Sequence, residues 1–402
     1  MLAFTAARLL TPQGVLEHAL LLVEAGHIVD IVDQSARAFQ ADVSRLDLGD
    51  NLIAPGYIDL HIHGSAGYDV MDDAPEALPA IERLLVRHGV TSYLPTTVTA
   101  AFDSTLRALE RLASAIETCE HDSEETAERK NDKRVGRAVP LGIHLEGPFI
   151  SHARRGVHPS ENLLPPKIET FERFWQAARG RIRVMTLAPE LEGAVELIAA
   201  AAARRVCVSL GHSDADFAVA ERGIAAGARH ATHTFNAMRP LGHRDPGIAG
   251  AVLTDTRLTA DIIADGVHLD PAIVKLFAHA KGPEQTVLIT DATAATDMTD
   301  GRYRLGSIEV DVKDGRCTSN GKLAGSVLTM DRAVRNLARF AGWELPQAVG
   351  AASANPARFS NSFLRLLQAK AFCQARDAST NRWQQAPSHT SQLSKSRTHF
   401  SI

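Results

Sequence analysis

The chain is short of cysteine. Its 402 residues include only Cys119, Cys207, Cys317 and Cys373. These four lie far apart in the sequence, and their spacing fits neither a disulfide framework nor a zinc knuckle. Disulfides persist mainly in oxidising compartments, so their expected absence favours a reducing one. We therefore expect a cytoplasmic protein.

Long hydrophobic runs and an excess of basic residues are also missing. No stretch approaches the roughly 18 apolar residues of a membrane span. The N-terminus has no basic region followed by an uninterrupted apolar core, so we expect no signal peptide. The formal net charge is −4, and this argues against nucleic-acid binding, which normally needs a basic face. We expect neither a membrane nor a nucleic acid among the partners.

What is present is an ordinary globular composition, with 45% hydrophobic and 22% charged residues. The length suits a barrel with an appendage, or two domains. Residues 1–54 read as short strands, since two β runs flank a glycine turn within 19–32. They predict the first strands of a small β-sandwich, separate from the main core.

An alternation of strand and helix patterns begins near residue 53. Eight apolar strand patterns begin near residues Ile53, Thr91, Ala138, Arg181, Arg205, Arg229, Leu258 and Gln285. Helical patterns between them include residues 77–88, 104–118, 192–205 and 217–227. Eight alternating β and α units predict a (β/α)8 barrel, a fold of the α/β class. A doubly wound open sheet is the alternative.

The remaining segments complete a predicted domain plan. The barrel comprises 55–300 and 323–358, and the hairpin strands of 301–322 are expected to join the β-sandwich. The charged run 120–134 reads as a solvated loop or a helix extension. Residues 359–402 form a basic, Ser- and Gln-rich tail, whose composition predicts poor order and an incomplete sandwich.

Most of the predicted strands end on a side chain that can bind a metal. These residues are His61 and His63 after the first strand, Glu146 after the third, His212 after the fifth, His233 after the sixth, His268 after the seventh and Asp291 after the eighth. Barrel enzymes keep their chemistry at this end of the strands. A histidine pair alone could be solvated, and a lone carboxylate could cap a turn. Together they predict a metal-dependent hydrolase.

The donor set narrows the metal chemistry. Histidine nitrogens with a carboxylate oxygen suit zinc or a similar divalent ion that keeps one position for water. Such an ion lowers the pKa of the water and polarises a carbonyl group. A nearby carboxylate can move the water's proton to a leaving nitrogen, and Asp291 is the candidate. The alternative for Asp291 is a purely structural role in a barrel loop.

Several stretches together resemble the amidohydrolase superfamily and, within it, the N-acetylglucosamine-6-phosphate deacetylase family. They are Pro55-Gly56-Tyr57-Ile58-Asp59-Leu60-His61-Ile62-His63-Gly64, His144-Leu145-Glu146-Gly147-Pro148-Phe149, Leu210-Gly211-His212-Ser213, His233-Thr234-Phe235-Asn236-Ala237-Met238, Asp265-Gly266-Val267-His268, Thr290-Asp291-Ala292 and Leu323-Ala324-Gly325-Ser326. They span about residues 1–358 in the family's order. Relatives then continue with strands that residues 359–402 lack.

The resemblance implies a role for each matching residue. Glu146, His212 and His233 would hold the principal metal, and His61 with His63 could hold a second. Asp291 and His158 would be catalytic, with Asp291 the general acid and base. The residues implied in substrate binding are Gly156, Val157, Asn236, Ala237, Arg244, His268, Leu323, Ala324 and Gly325. Arg244 would reach the substrate phosphate of a neighbouring subunit, which implies a homodimer.

The implied reaction is hydrolysis of the acetamide of N-acetylglucosamine 6-phosphate to glucosamine 6-phosphate and acetate. Two alternatives stay open. The same site could act on a related amide, such as N-acetylgalactosamine 6-phosphate. The altered C-terminus could instead leave a destabilised, non-catalytic remnant, since an unpaired sheet edge invites aggregation.

Overall fold

The structure is a computed structural model that describes residues 1–11, 14–24, 26–36, 43–125 and 136–358. The predicted tail of residues 359–402 lies outside the described residues, as does most of the charged run.

Strands and helices alternate through most of the described chain. The strands are β1 (Leu2–Thr11), β2 (Gly14–Glu24), β3 (His27–Asp33), β4 (Ser44–Asp47), β5 (Leu52–Ile53), β6 (Tyr57–Ile62), β7 (Gly64–Ser65), β8 (Tyr68–Asp69), β9 (Val90–Thr97), β10 (Val139–Pro140), β11 (Ile143–Glu146), β12 (Ile182–Leu187), β13 (Cys207–Leu210), β14 (His230–Ala231), β15 (Ala260–Ile262), β16 (Thr286–Leu288), β17 (Gly301–Leu305), β18 (Ile308–Lys313), β19 (Arg316–Ser319) and β20 (Lys322–Leu323). The α-helices are α1 (Ala77–Arg87), α2 (Phe102–Glu125), α3 (Ile168–Ala177), α4 (Ala194–Ala203), α5 (Phe217–Ala226), α6 (Gly247–Thr254), α7 (Pro271–Gln285), α8 (Met330–Ala341), α9 (Leu345–Ala352) and α10 (Ala354–Ala357). Short 3-10 helices cover Gln34–Ala36, His152–Arg154 and Ser160–Asn162.

Eight parallel strands form the barrel that the alternation predicted. In spatial order β6, β9, β11, β12, β13 and β14 pair in parallel, and β15 pairs in parallel with β16. The Thr234 amide joins β14 to β15 by donating to the Asp261 carbonyl oxygen at 2.9 Å. The last strand meets the first where the Asp291 amide donates to the His61 carbonyl oxygen at 2.9 Å. The (β/α)8 prediction is therefore confirmed.

The barrel strands are buried on both faces, between the interior and the helices. Every residue of β6 and β9 is buried, as expected for parallel strands covered by helices. The helices present apolar residues at helical spacing. In α8 the buried residues are Met330, Ala333, Val334, Leu337 and Ala341, which recur every three or four positions along one face. Within the described ranges, no helix is long and apolar enough to cross a bilayer.

Two further sheets flank the barrel. In the first, β1 pairs antiparallel with β2 and in parallel with β4 and β5. The second is the antiparallel meander from β17 to β20. Its apolar side chains pack with Val98 and Ala295 at the carboxyl end of the barrel. The described apolar clusters of the two sheets share no side chain, and the assignment of 301–322 to a common sandwich stays a prediction.

A buried lysine joins two of the outer helices. Lys281, on α7, is 5% exposed. Its ammonium group donates to the carbonyl oxygens of Val252 at 3.0 Å and Asp255 at 2.9 Å, where α6 ends. These carbonyls have no partner within α6, so a cation at this end is favourable. Burial nevertheless lowers the pKa of Lys281 to about 8.

This burial predicts a rise in stability at alkaline pH. The pKa of Lys281 is lower in the folded protein than in the unfolded chain, so the unfolded chain binds more protons between about pH 8 and 10.5. The free energy of unfolding of the wild type should therefore rise relative to Lys281→Met across this range, by on the order of 3 kcal/mol. Urea unfolding at several pH values measures it. Lys275→Met, which changes an exposed lysine of the same helix, is the control. A flat difference between wild type and Lys281→Met would contradict the prediction.

Candidate metal centre and pocket

Six buried side chains converge at the carboxyl end of the barrel. They are His61, His63, Glu146, His212, His233 and Asp291, all less than 10% exposed. Five of the eight strands deliver them, because parallel strands end on the same side of the barrel. The sequence predicted these residues as metal ligands or proton carrier, and the fold brings all six together.

Three of them form one compact group around the carboxylate of Glu146. The Nε2 atoms of His212 and His233 each lie 3.2 Å from Glu146 Oε1, and they lie 3.0 Å from each other. In a tetrahedral zinc site with bonds of about 2.0–2.1 Å, ligand atoms are about 3.3 Å apart. The observed separations are close to this value. The donor set therefore fits a divalent metal.

A second group lies on the other side of the same carboxylate. His63 Nε2 is 3.2 Å from Asp291 Oδ1 and 3.1 Å from His61 Nε2. Glu146 faces this group too, since its Oε2 atom is 3.3 Å from His63 Nε2. The ligand atoms of each group all lie within 4.8 Å of one another. The two groups could therefore hold one metal ion each.

Backbone carbonyl groups orient two of the imidazole rings. His212 Nδ1 lies 2.9 Å from the carbonyl oxygen of Arg154, and His63 Nδ1 lies 3.0 Å from that of Thr96. A carbonyl oxygen can only accept, so each Nδ1 carries the proton and donates it. Each Nε2 is then the ring nitrogen that faces the centre. Such partners are what metal-binding histidines require.

The backbone itself is strained where it delivers the ligands. The φ angles are 48° at His212, 31° at His233 and 50° at Asp291. Residues with a Cβ rarely adopt this left-handed region, and each instance costs of order 1–3 kcal/mol. The turns after β13, β14 and β16 therefore hold the backbone of these three residues in a conformation that an unconstrained chain rarely adopts.

Burial and neighbouring charges shift the pKa values of the two carboxylates, Glu146 and Asp291, in opposite directions. Burial alone would raise the pKa of Asp291, but His61 and a hydrogen bond from His63 outweigh it and hold the value at about 2. Burial would likewise raise the pKa of Glu146, but the surrounding histidines lower it by more. The pKa of Glu146 is therefore well below its usual range. Both carboxylates are therefore ionised at neutral pH.

His158 presents a hydrogen-bond donor beside the metal ligands. Its Nδ1 atom accepts from the Thr99 amide at 3.3 Å and lies 2.8 Å from the Thr99 hydroxyl oxygen. Since the amide can only donate, the proton of the neutral ring is on Nε2. That atom lies 3.6 Å from Glu146 Oε2. The side chain is buried, and it faces the same pocket.

The pocket above these groups encloses about 650 Å³ of space, including its open mouth. It is lined by His63, Glu146, Gly156, Val157, His158, His212, His233, Asn236, Ala237, His268, Asp291, Leu305, Leu323, Ala324 and Gly325. Every residue that the sequence placed in substrate binding is among them except Arg244, which is exposed and outside this lining. Leu305 was missed, because nothing in its local sequence distinguishes a pocket leucine from a core leucine.

A set of polar side chains outside the pocket fixes the turn that carries His212. Glu190 accepts hydrogen bonds from the Ser213 hydroxyl at 2.7 Å and the Asp214 amide at 2.6 Å. The Asp214 carboxylate in turn binds the Arg154 guanidinium at 2.7 Å. The carbonyl group of Arg154 is the one that orients His212. Nothing in the residues around Glu190 signals this role.

Known proteins are similar to this chain in sequence and in fold. The amidohydrolase family model matches residues 52–362. An N-acetylgalactosamine-6-phosphate deacetylase of Escherichia coli O157:H7 is 39% identical over 354 residues, which are 88% of this chain and 88% of that protein. The human N-acetylglucosamine-6-phosphate deacetylase is 37% identical over 372 residues, covering 89% of this chain and 86% of its own length.

A solved structure extends the similarity to three dimensions. It is a mutant N-acetyl-D-glucosamine-6-phosphate deacetylase from Mycobacterium smegmatis in complex with N-acetyl-D-glucosamine-6-phosphate. It superposes with a TM-score of 0.80 at 34% identity, over 89% of this chain and 90% of the other. The chain therefore belongs to the amidohydrolase family and, within it, to the N-acetylglucosamine-6-phosphate deacetylases.

Proposed function

We propose that this protein hydrolyses the acetamide of N-acetylglucosamine 6-phosphate to glucosamine 6-phosphate and acetate. The observation that carries the proposal is the pocket. Its lining combines the candidate metal ligands, the ionised carboxylate of Asp291 and the N–H donor of His158. These are the groups that amide hydrolysis needs. The relatives that cover most of the chain bear the names of deacetylases.

The proposed metal ligands are Glu146, His212 and His233. When bound, a divalent ion, zinc by its preference for these donors, supplies a Lewis acid that polarises the acetamide carbonyl and acidifies a water molecule. His61 and His63 would hold a second ion in the group that includes Asp291. The Arg154 and Thr96 carbonyls orient His212 and His63, one ligand of each proposed ion, before any ion binds.

Asp291 is proposed to transfer the proton of the attacking water, and His158 to stabilise the negative charge that develops on the acetamide oxygen. The ionised carboxylate of Asp291 takes the proton from the attacking water and later delivers it to the departing amine nitrogen. His158 keeps its proton on Nε2 and donates a hydrogen bond to the acetamide oxygen as negative charge develops there. The low pKa of Asp291 keeps it in the form that can accept a proton.

The rest of the lining is proposed to recognise the sugar phosphate. Asn236, Ala237 and His268 lie in the pocket, and Gly325 leaves room beside Asp291. Arg244 is exposed and lies outside the lining of its own pocket, and its proposed role is to reach a phosphate group bound in a neighbouring subunit. An arginine suits this role because its planar fork binds two phosphate oxygens. This role makes the active form a homodimer.

One observation favours a second substrate. The relative from Escherichia coli O157:H7, which is 39% identical, is named for N-acetylgalactosamine 6-phosphate. The two sugars differ only in the configuration at one hydroxyl group, so the same proposed catalytic groups serve both.

The alternative of a non-catalytic remnant depended on residues 359–402, which the structure does not describe. Cys119 and Cys317 are buried, and the proposed location is cytoplasmic.

Replacing the proton carrier tests the mechanism. Asp291→Asn should still bind metal at Glu146, His212 and His233, but its kcat should fall by about 10²- to 10⁴-fold, because an amide cannot take the proton. Acetate release from N-acetylglucosamine 6-phosphate and metal content by mass spectrometry are the measurements. Asp297→Asn changes a more exposed aspartate after the same strand, and it should retain the parental rate. A fast Asp291→Asn enzyme would rule out the proposed role.

Mixed subunits test the proposed reach of Arg244. Arg244→Ala should raise KM for N-acetylglucosamine 6-phosphate at least tenfold and leave turnover of unphosphorylated N-acetylglucosamine unchanged. A dimer of one Arg244→Ala subunit and one Asp291→Asn subunit contains one site with both residues intact. Mixing the two weak variants should therefore restore part of the rate. Mixtures no faster than their components would place Arg244 outside the neighbouring site.

The contacts of Glu190 predict a metal-affinity defect. In Glu190→Gln an NH₂ group replaces one of the two accepting oxygens, so the Ser213 hydroxyl and the Asp214 amide can no longer both donate to this side chain. The turn that carries His212 should loosen, and the Kd for zinc should rise by about 10-fold or more. Competition with a chromogenic chelator measures it without turnover. Glu192→Gln, an exposed glutamate two residues along, is the control, and equal affinities in both variants would contradict the argument.

A further inference from the structure

The pocket has an apolar wall in addition to its polar floor. Val157, Leu305, Leu323 and Ala324 line it together with the histidines and carboxylates. Leu305 is the last residue of β17 and is only 3% exposed, while Ala324 is 1% exposed. Both pack in one cluster with Val98 and Val310, and Val157 packs against it. The wall is therefore the inner surface of a small hydrophobic core that lies over the pocket.

This wall lies between the two groups proposed to act on the acetamide. On one side, Val157 immediately precedes His158 in the chain. On the other, Ala324 precedes Gly325, where an added Cβ would lie 3.0 Å from the Asp291 carbonyl oxygen and 3.7 Å from its Oδ1. An amide held between His158 and Asp291 therefore has this cluster beside it.

The three substituents of the acyl carbon then have different surroundings. In the proposed reaction its oxygen faces the candidate metal ligands and His158, and its nitrogen faces Asp291. The methyl group forms no hydrogen bonds, and burying it against an apolar surface is favourable. We propose that Leu305, with Val157 and Ala324, forms the acyl-binding wall and limits the substrate to a short acyl chain. This inference rests on the proposed deacetylase function and extends it to acyl specificity.

The wall is held too firmly to give way to a longer acyl chain. The Gly306 amide, next to Leu305, donates to the buried carboxylate of Asp69 at 2.7 Å. A Cβ on Gly306 would lie 2.4 Å from Val98 Cγ1, so the hairpin lies directly on the barrel rim. The Asp69 carboxylate also accepts from the Met71 amide at 2.7 Å. Because the backbone beside Leu305 is anchored, truncating its side chain should open space rather than let the hairpin collapse.

The test compares acyl chains on the same sugar phosphate. The measured quantity is kcat/KM for N-propionyl- divided by that for N-acetylglucosamine 6-phosphate. One methylene in an apolar pocket changes discrimination by about 10- to 200-fold. Leu305→Ala should therefore raise this ratio at least tenfold, and Leu305→Phe should lower it.

A matched control separates specificity from stability. Val310→Ala truncates a fully buried member of the same cluster that is not in the pocket lining. It should lower the melting temperature about as much as Leu305→Ala and leave the ratio unchanged. If Leu305→Ala is too unstable to assay, Leu305→Val should give a smaller rise, and Leu305→Phe still tests the opposite direction.

The possible results lead to different conclusions. A raised ratio for Leu305→Ala with an unchanged ratio for Val310→Ala supports the acyl wall. An unchanged ratio in all Leu305 variants, with acetyl turnover present, overturns it. Equal losses for both acyl groups also overturn it, because they would place Leu305 against the sugar. If the wild type releases neither acyl group from the glucosamine or the galactosamine compound, the proposed function itself fails, and the acyl wall with it.

Discussion

The carboxylate of Glu146 is the interaction on which the rest of the site depends. Its two oxygens lie 3.2–3.4 Å from ring nitrogens of His61, His63, His212 and His233, which come from three different strand ends. A buried carboxylate is stable only when charges or hydrogen bonds compensate its lost hydration. The histidines supply that compensation, and the pKa of Glu146 is accordingly well below its usual range.

A polar layer inside the barrel supports this arrangement from below. His144 donates from Nδ1 to the Leu60 carbonyl oxygen, so its Nε2 accepts from Thr186, whose hydroxyl lies 2.8 Å from that of Thr232. Asp59 accepts from the hydroxyl group of Thr290 and so joins the first strand to the last. Barrel interiors are usually filled by branched aliphatic residues. Here hydrogen bonds fix strand positions beneath the metal ligands.

The sequence was sufficient to predict the eight barrel strands and to place six candidate ligands at their ends, because both have strong local signals. A strand pattern followed by a histidine or a carboxylate can be recognised from neighbouring residues, and the structure begins the last strand at Thr286, one residue after the predicted start. Leu305 and Glu190 could not be found in this way. Their roles depend on contacts with segments distant in the chain, with Val98 for one and with Asp214 for the other. The hairpin meander after the barrel was predicted as strands, but its packing over the pocket has no local signal.

The meeting of the first and last strands has a consequence for how the protein is made. Ribosomes release the chain from its N-terminus onward, and His61 and His63 are therefore available early. Asp291 follows 228 residues after His63, and the Ser326 amide that donates to its carbonyl oxygen at 2.7 Å comes later still. A nascent chain has its full set of proposed catalytic groups only when about seven tenths of the sequence has been translated, and the Ser326 contact only at about four fifths. Until then its histidines lie in an open, incomplete barrel, accessible to any metal ion in the surrounding solution.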